Sequence, residues 1–362
     1  MWPYWILFIV PAYWAISRLK PIPQTALIAH DDRWPFVWKS VFIFLVFMIG
    51  LRHQVGGDWE TYLEMLDSYI IPNTTVEDFG FQDPAFIIFN LLSAWSGLGI
   101  YLLNFLSAIC FSWGLIVFCR EQPRPWLALA VAVPYLITVV AMGYTRQGVA
   151  IGIAMVAMAT LGRGGVFRFV FWIAVAATFH KSAIILLPMA VLANSKRRLF
   201  TLLWVGLTGL ILFALMVQEA LSFLMGGYIE DAMQSSGAGI RLAMNGVPAA
   251  LFLLFNRRFQ LMADQRSFWK WMSWSALALV GVLMVSPSST AVDRIALYWI
   301  PLQLFVLSRL PNALGRANGQ NLLWVMVVLG YSAAVHFTWL FYADTAFAWL
   351  PYQFYPWVWL WQ

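Results

Sequence analysis

A chain of 362 residues that is 62% apolar, 17% aromatic and 10% charged has too little polar surface to fold as a soluble globule, and it reads as a multispanning membrane protein. The formal net charge of +6 does not point to nucleic acid: the longest basic block, Lys196-Arg197-Arg198, abuts apolar runs, so the cations report orientation in a bilayer. Cys110 and Cys119 share one apolar run, which excludes a disulfide framework.

A span needs roughly 20 apolar residues to cross about 30 Å of hydrocarbon. Runs that meet or approach this lie near 1–17, 36–51, 100–118, 125–142, 147–161, 166–179, 182–193, 199–217, 241–256, 271–286, 295–308 and 321–341. The expected fold is therefore all-α, with about twelve transmembrane helices. The first run lacks a basic leader region and a small-residue cleavage site, so it is expected to be retained as a span. No repeat and no Pro/Gly/Ser linker divides the chain, which predicts one transmembrane domain over 1–362.

Alternating the loops between two sides sorts the charges. One side takes 17 of the 22 Lys and Arg residues and is assigned to the cytoplasm; the other keeps Arg52, Arg146, Lys181, Arg241 and Arg294 with 12 of the 16 acids. Both termini then face outward. The apolar stretch Pro84–Trp95 would invert every later loop if it crossed, so it is read as an interfacial or re-entrant helix on the outer face. The long hydrophilic stretches, Arg52–Asp83 and 218–240, also fall outside, so polar chemistry is expected there.

Three outer constellations stand out. In Leu51-Arg-His-Gln-Val-Gly-Gly-Asp58-Trp-Glu60-Thr-Tyr62, the Gly pair permits a tight turn that aims Asp58 and lets backbone approach a ligand, although Asp58 serves equally as a helix cap. Asp58 and Glu60 invite a divalent metal, but no His or third carboxylate stands at ligand spacing, so neither a metal nor a cofactor is expected. Thr145-Arg146-Gln147 and Phe179-His180-Lys181-Ser182 flank runs of 12 to 15 residues, only about 18–22 Å long as helices, so their outer ends should sit below the membrane surface. A cation sunk there is costly unless it faces a cavity and an anion; snorkelling, or pairing with a nearby acid, is the plainer alternative. Asp293-Arg294 supplies a further cation, and Arg241 is the weakest because it also suits a helix end.

These segments resemble the EpsG family, which is related to Wzy-type polysaccharide polymerases. The resemblance is carried by Arg52–Tyr62, Asp83-Pro84-Ala85-Phe86, Thr145-Arg146-Gln147, Phe179–Ser182, Asp293-Arg294 with Tyr298, and Leu350-Pro351-Tyr352; where relatives have Glu-Pro-Gly-Phe, this chain has Asp83-Pro84-Ala85-Phe86. It implies a membrane-embedded glycosyltransferase of the C type in a bacterial inner membrane, with its site facing the periplasm. Such an enzyme moves a growing glycan from undecaprenyl diphosphate onto an incoming lipid-linked repeat unit. The resemblance also implies a chain-length regulator and a flippase as partners.

For that reaction Arg146, Lys181 and Arg294 are expected to hold the diphosphate, supported by Arg52 and Arg241. Asp58 is expected to act as general base, with His180 as the second choice, and Trp59, Tyr62, Gln147 and His53 to orient sugar rings. The rival expectation is a transporter or flippase of lipid-linked oligosaccharide, which would favour duplicated halves and polar groups at the midplane. An acyltransferase is a third reading, for which His30 is the one histidine on the inner side.

Overall fold

The protein is described by a computed structural model covering residues 1–19, 34–70, 83–189, 202–203, 205–211, 235, 237–316 and 319–360. His30 and most of the 218–240 stretch lie outside the described residues, as do parts of the expected spans 182–193 and 199–217. Among the described residues the chain is helical, with no strand. One cluster of buried apolar side chains runs from Tyr4 to Trp349.

Helix α1 (Trp2–Ser17) begins with Pro3 in its first turn, where the missing N–H leaves no bond unmade. It is followed by α2 (Phe36–Gly50), the amphipathic α3 (Trp59–Ile70), α4 (Pro84–Ser96) and α5 (Gly99–Arg120). The stretch read as interfacial is thus a 13-residue helix, too short to cross alone, and it packs on α3, α5 and α7. Helix α6 (Pro125–Ala132) widens into a π-helical segment over Val133–Ala141, beginning beside Pro134, which has no N–H to donate. The later helices are α8 (Ala238–Phe255), α9 (Ala263–Val285), α10 (Ser289–Ala296), α11 (Ile300–Leu314), α12 (Leu322–Tyr342) and α13 (Tyr355–Leu360).

Among the described residues five helical stretches are long and apolar enough to cross a membrane: Gly99–Arg120, Ala238–Phe259, Ala263–Val285, Ser289–Leu314 and Leu322–Tyr342. Shorter apolar helices accompany them, and residues 126–141 among these are buried throughout. Phe36, Leu254, Met284, Val285 and Leu323 are exposed on these elements, a liability in water and an ordinary lipid contact in a bilayer. The protein is a polytopic helical membrane protein.

Helix α7 (Thr145–Phe179) carries the geometry that positions the site. Gly165 interrupts it at φ 70°, ψ −175°, a conformation open to glycine and strained for other residues. A continuous helix would hold residues 146 and 181 about 52 Å apart. Both instead bond to the carboxylate of Asp83, so the two arms fold back on each other at Gly165. The arms, Thr145–Leu161 and Gly165–Phe179, extend only about 25 and 22 Å, shorter than the hydrocarbon layer, as their sequence requires. The second arm passes into a 3₁₀ turn, Lys181–Leu186, in place of the α-helical start expected at Ser182.

Candidate active site

All five cations assigned to the outer side meet at one end of the bundle, linked by a chain of contacts. Arg52 reaches Thr145, Arg146 reaches Asp83, Asp83 accepts from the Lys181 backbone, Arg294 approaches Asp58, and Arg241 grips Asp293. At the opposite end of α6 and α11, Arg124 donates to Asn312 and the Gln320 carbonyl, and Arg309 donates to Gln122. Arg124 and Arg309, assigned to the other side, thus lie at the other end from the five.

Asp83 is the organising acid. Its φ of +52° is left-handed, a conformation short Asp side chains tolerate better than most. One carboxylate oxygen accepts Arg146 Nη1 at 3.2 Å and the other accepts the Lys181 backbone N–H at 3.0 Å. This single buried group therefore ties the start of α4 to the tips of both α7 arms. In the sequence Asp83 is marked only as part of a turn motif, an acid directly before Pro84 at a helix start, which does not reveal this role. Arg146 is further placed by its backbone N–H, which donates to the Tyr62 hydroxyl at 3.2 Å, and by the Phe86 ring 5.9 Å beneath its guanidinium.

Arg294 is the more open cation. It stands 4.0 Å from the Asp58 carboxylate, a long ion pair, and 4.2 Å over the Tyr144 ring. Asp293 does not pair with its sequence neighbour; it accepts from Arg241 at 2.8 and 2.9 Å and from Ser235 at 3.1 Å. Gln147 holds the Arg294 segment, its amide nitrogen donating to the Arg294 carbonyl at 2.6 Å, while its buried Oε1 has no partner.

His180 lies in the turn beyond α7, its Nδ1 3.3 Å from Ser182 Oγ, which in turn meets the Tyr298 hydroxyl at 3.1 Å. Burial, reinforced by Arg146, Arg294 and Lys181, lowers its pKa to about 3. The ring is therefore neutral at physiological pH, and the three cations named for the diphosphate act together on one point. Burial shifts Asp58 the other way, raising its carboxyl above the ordinary value, opposed by Arg294 and Arg146. A raised carboxylate is a stronger base than an imidazole pulled this low, so of the two Asp58 is suited to accept a proton.

Several expected residues have different work. Arg52, only 2% exposed, donates to the Val55 and Ile49 carbonyls, Asn104 and Thr145 at 2.6–3.1 Å, and has no face toward the opening. Arg241 is committed to Asp293 and Ser235. Trp59 and Tyr62 turn their rings into the core, where burial of a large apolar surface outweighs exposure to a sugar. His53 bonds to the Tyr101 hydroxyl at 2.7 Å and stacks on that ring, which itself stacks on Tyr355 at 3.6 Å.

The Gly pair also acts internally. Gly56, at φ +116°, lies against the Met142 carbonyl and Gly143, so the close approach it permits is to the chain itself and not to a ligand. The Trp349 indole fills the space beside Gly57 and Gly143, donates to the Thr138 carbonyl of the π segment at 2.8 Å, and its own carbonyl accepts from the Tyr4 hydroxyl at 2.7 Å. Residues 348–355 continue this strap: the Gly56 N–H donates to the Ala348 carbonyl, the His53 N–H to Gln353, and the Tyr355 N–H to Leu51. The turns bearing Asp58 and Arg146 are thus clamped together by a C-terminal segment that sequence reading noted only as a motif. Glu60 is exposed in the first turn of α3, and no group of three His, Cys, Asp or Glu residues able to hold a metal occurs among the described residues.

A family model described as the EpsG family matches residues 36–354, which include every residue of this site. No curated protein and no solved structure matches the chain.

Proposed function

Since the chain belongs to the EpsG family, a Wzy-like polysaccharide polymerase family, we propose that it extends a glycan by transferring the growing chain from a polyprenyl diphosphate to an incoming lipid-linked repeat unit. The family implies a glycosyltransferase-like polymerase. The observation that carries it is that Arg146 and the start of the Lys181 turn meet on the Asp83 carboxylate while Arg294 stands beside the Asp58 carboxylate at the same end of the bundle. A diphosphate at a membrane interface needs several cations in a water-poor setting, held while its charged head departs.

In this reaction the acceptor sugar hydroxyl attacks the anomeric carbon of the donor. Asp58 takes the hydroxyl proton, a new glycosidic C–O bond forms, the bond to the diphosphate oxygen breaks, and polyprenyl diphosphate leaves with the electron pair. Arg146 and Arg294 offer guanidinium donors to that developing charge, with the Lys181 ammonium beside them. Neutral His180 orients through Ser182 and does not compete with Asp58 as base. We place this end of the bundle on the periplasmic face of the bacterial inner membrane, in keeping with its shortage of cations.

The test is reconstitution of the purified protein in liposomes with the undecaprenyl-diphosphate repeat unit isolated from cells that lack it. Glycans of more than one repeat are expected. Movement of the repeat across the bilayer with no longer product would assign transport instead.

A further inference from the structure

A cavity of about 410 Å³ opens beside Arg146 and runs along the outward face of α3. It is lined by Thr61, Glu64, Ser68 and Tyr69 at helical spacing on one side and by Asp83 with Arg146 on the other. The opposite face of the same helix buries Trp59, Tyr62 and Leu66. Its polar face is therefore not a random solvated surface: it closes one wall of a space whose end is a candidate diphosphate cation. Glu64 is exposed there and makes no hydrogen bond or ion pair among the described residues, whereas Asp83 is occupied by Arg146 and the Lys181 backbone.

From this the geometry points to a sugar subsite, one that holds the residue attached directly to the diphosphate and selects a neutral or amino sugar there. The inference rests on the polymerase reading above. The Thr61 hydroxyl and the Glu64 carboxylate are complementary to the alternating donors and acceptors of a pyranose, while the Tyr69 ring, with Met65, Phe86 and Ile87 also lining the cavity, adds an apolar surface for its C–H face; the Ser68 hydroxyl is taken up by the Met65 carbonyl at 2.6 Å. The volume suits one to two sugar rings, within the range of small-molecule pockets. Specificity follows from charge. With Arg146 engaged by Asp83 and by the diphosphate it receives, the charge left facing the sugar is that of Glu64, so a uronic acid at this position meets repulsion, while a hydroxyl or an amine finds an acceptor. Trp59 and Tyr62, expected from the sequence to contact sugar, lie on α3, and the wall that faces the cavity is the other side of that helix.

Binding is measured with full-length protein in nanodiscs, using two probes: the undecaprenyl-diphosphate repeat unit purified from cells lacking the protein, and farnesyl diphosphate, which has the headgroup and no sugar. Glu64→Ala, and Ser68→Trp to fill the cavity, are expected to weaken the repeat unit at least tenfold and leave farnesyl diphosphate unchanged. Arg146→Ala should weaken both probes. Unchanged binding of the repeat unit, or an equal loss for farnesyl diphosphate, overturns the subsite, as does a uronic acid found next to the diphosphate by sugar analysis. Wild-type protein that binds neither probe overturns the diphosphate site itself, and with it the polymerase reading.

Discussion

Arg52 and Arg146 meet at adjacent residues, one bonded to Thr145 and the other following it in the chain, yet they belong to different regions. Below, Arg52 is enclosed, each of its three guanidinium nitrogens donating, to two carbonyls, an amide and a hydroxyl in all. Above, the side chains of Arg146 and Arg294 stay 33% and 36% exposed, the first on a single carboxylate oxygen and the second 4.0 Å from one. A cation held by neutral groups on all three nitrogens supports the floor; a cation matched in part is able to receive an anion. The contrast separates structural from functional arginines better than their position in the chain does.

Variants at the mouth should abolish activity without melting the protein, and variants of the floor should do the reverse. The largest loss is expected for Asp58→Asn, about 10²–10⁴-fold in chain growth, with a normal melting temperature. Because burial raises the Asp58 carboxyl above its ordinary value of 3.8, wild-type kcat/KM should fall as pH drops through that higher value, and the limb should vanish in Asp58→Asn while surviving in His180→Gln. Arg146→Ala should cost about 10²–10³-fold in polymer synthesis by repeat-ladder gels, with normal membrane insertion. Full polymer from that variant would merge the two classes of arginine.

On the floor, Arg52→Gln leaves buried carbonyls unmatched at about 1–3 kcal/mol each, so a lowered melting temperature in detergent is expected before any specific kinetic defect. Gly143→Ala places a methyl group in the volume held by the Trp349 indole; a smaller drop in stability with partial activity is the expected result, restored in part by Trp349→Phe. Exhaustive chelation should leave polymer synthesis unchanged. Loss of activity restored by a divalent ion would instead bring Asp58 and Glu60 into metal chemistry.

Much of this arrangement was legible in the sequence because bilayers sort charge. The five cations of one side do lie at one end, and the short arms of α7 were visible as runs briefer than the hydrocarbon layer. Partner choice was not legible. Nothing in the order Asp293-Arg294 reveals that Asp293 turns to Arg241 while Arg294 reaches Asp58, since pairing depends on which helices adjoin. Aromatic residues beside a candidate base were equally ambiguous: Trp59 and Tyr62 satisfy a core and a sugar alike, and the core took both. The π segment and the C-terminal strap left no periodic signal, because each is defined by backbone carbonyls freed or recruited at a distance.

The fold-back of α7 sets a limit on how this protein can change over time. Its two tips are pinned to one carboxylate, so a one-residue insertion in either arm would swing that tip by about 100° and displace it by about 1.5 Å, carrying residue 146 or 181 off Asp83. Length variation should therefore be excluded from both arms and tolerated only at the bend around Gly165. Any evolutionary change in bilayer thickness has to be met by tilt or by the neighbouring helices.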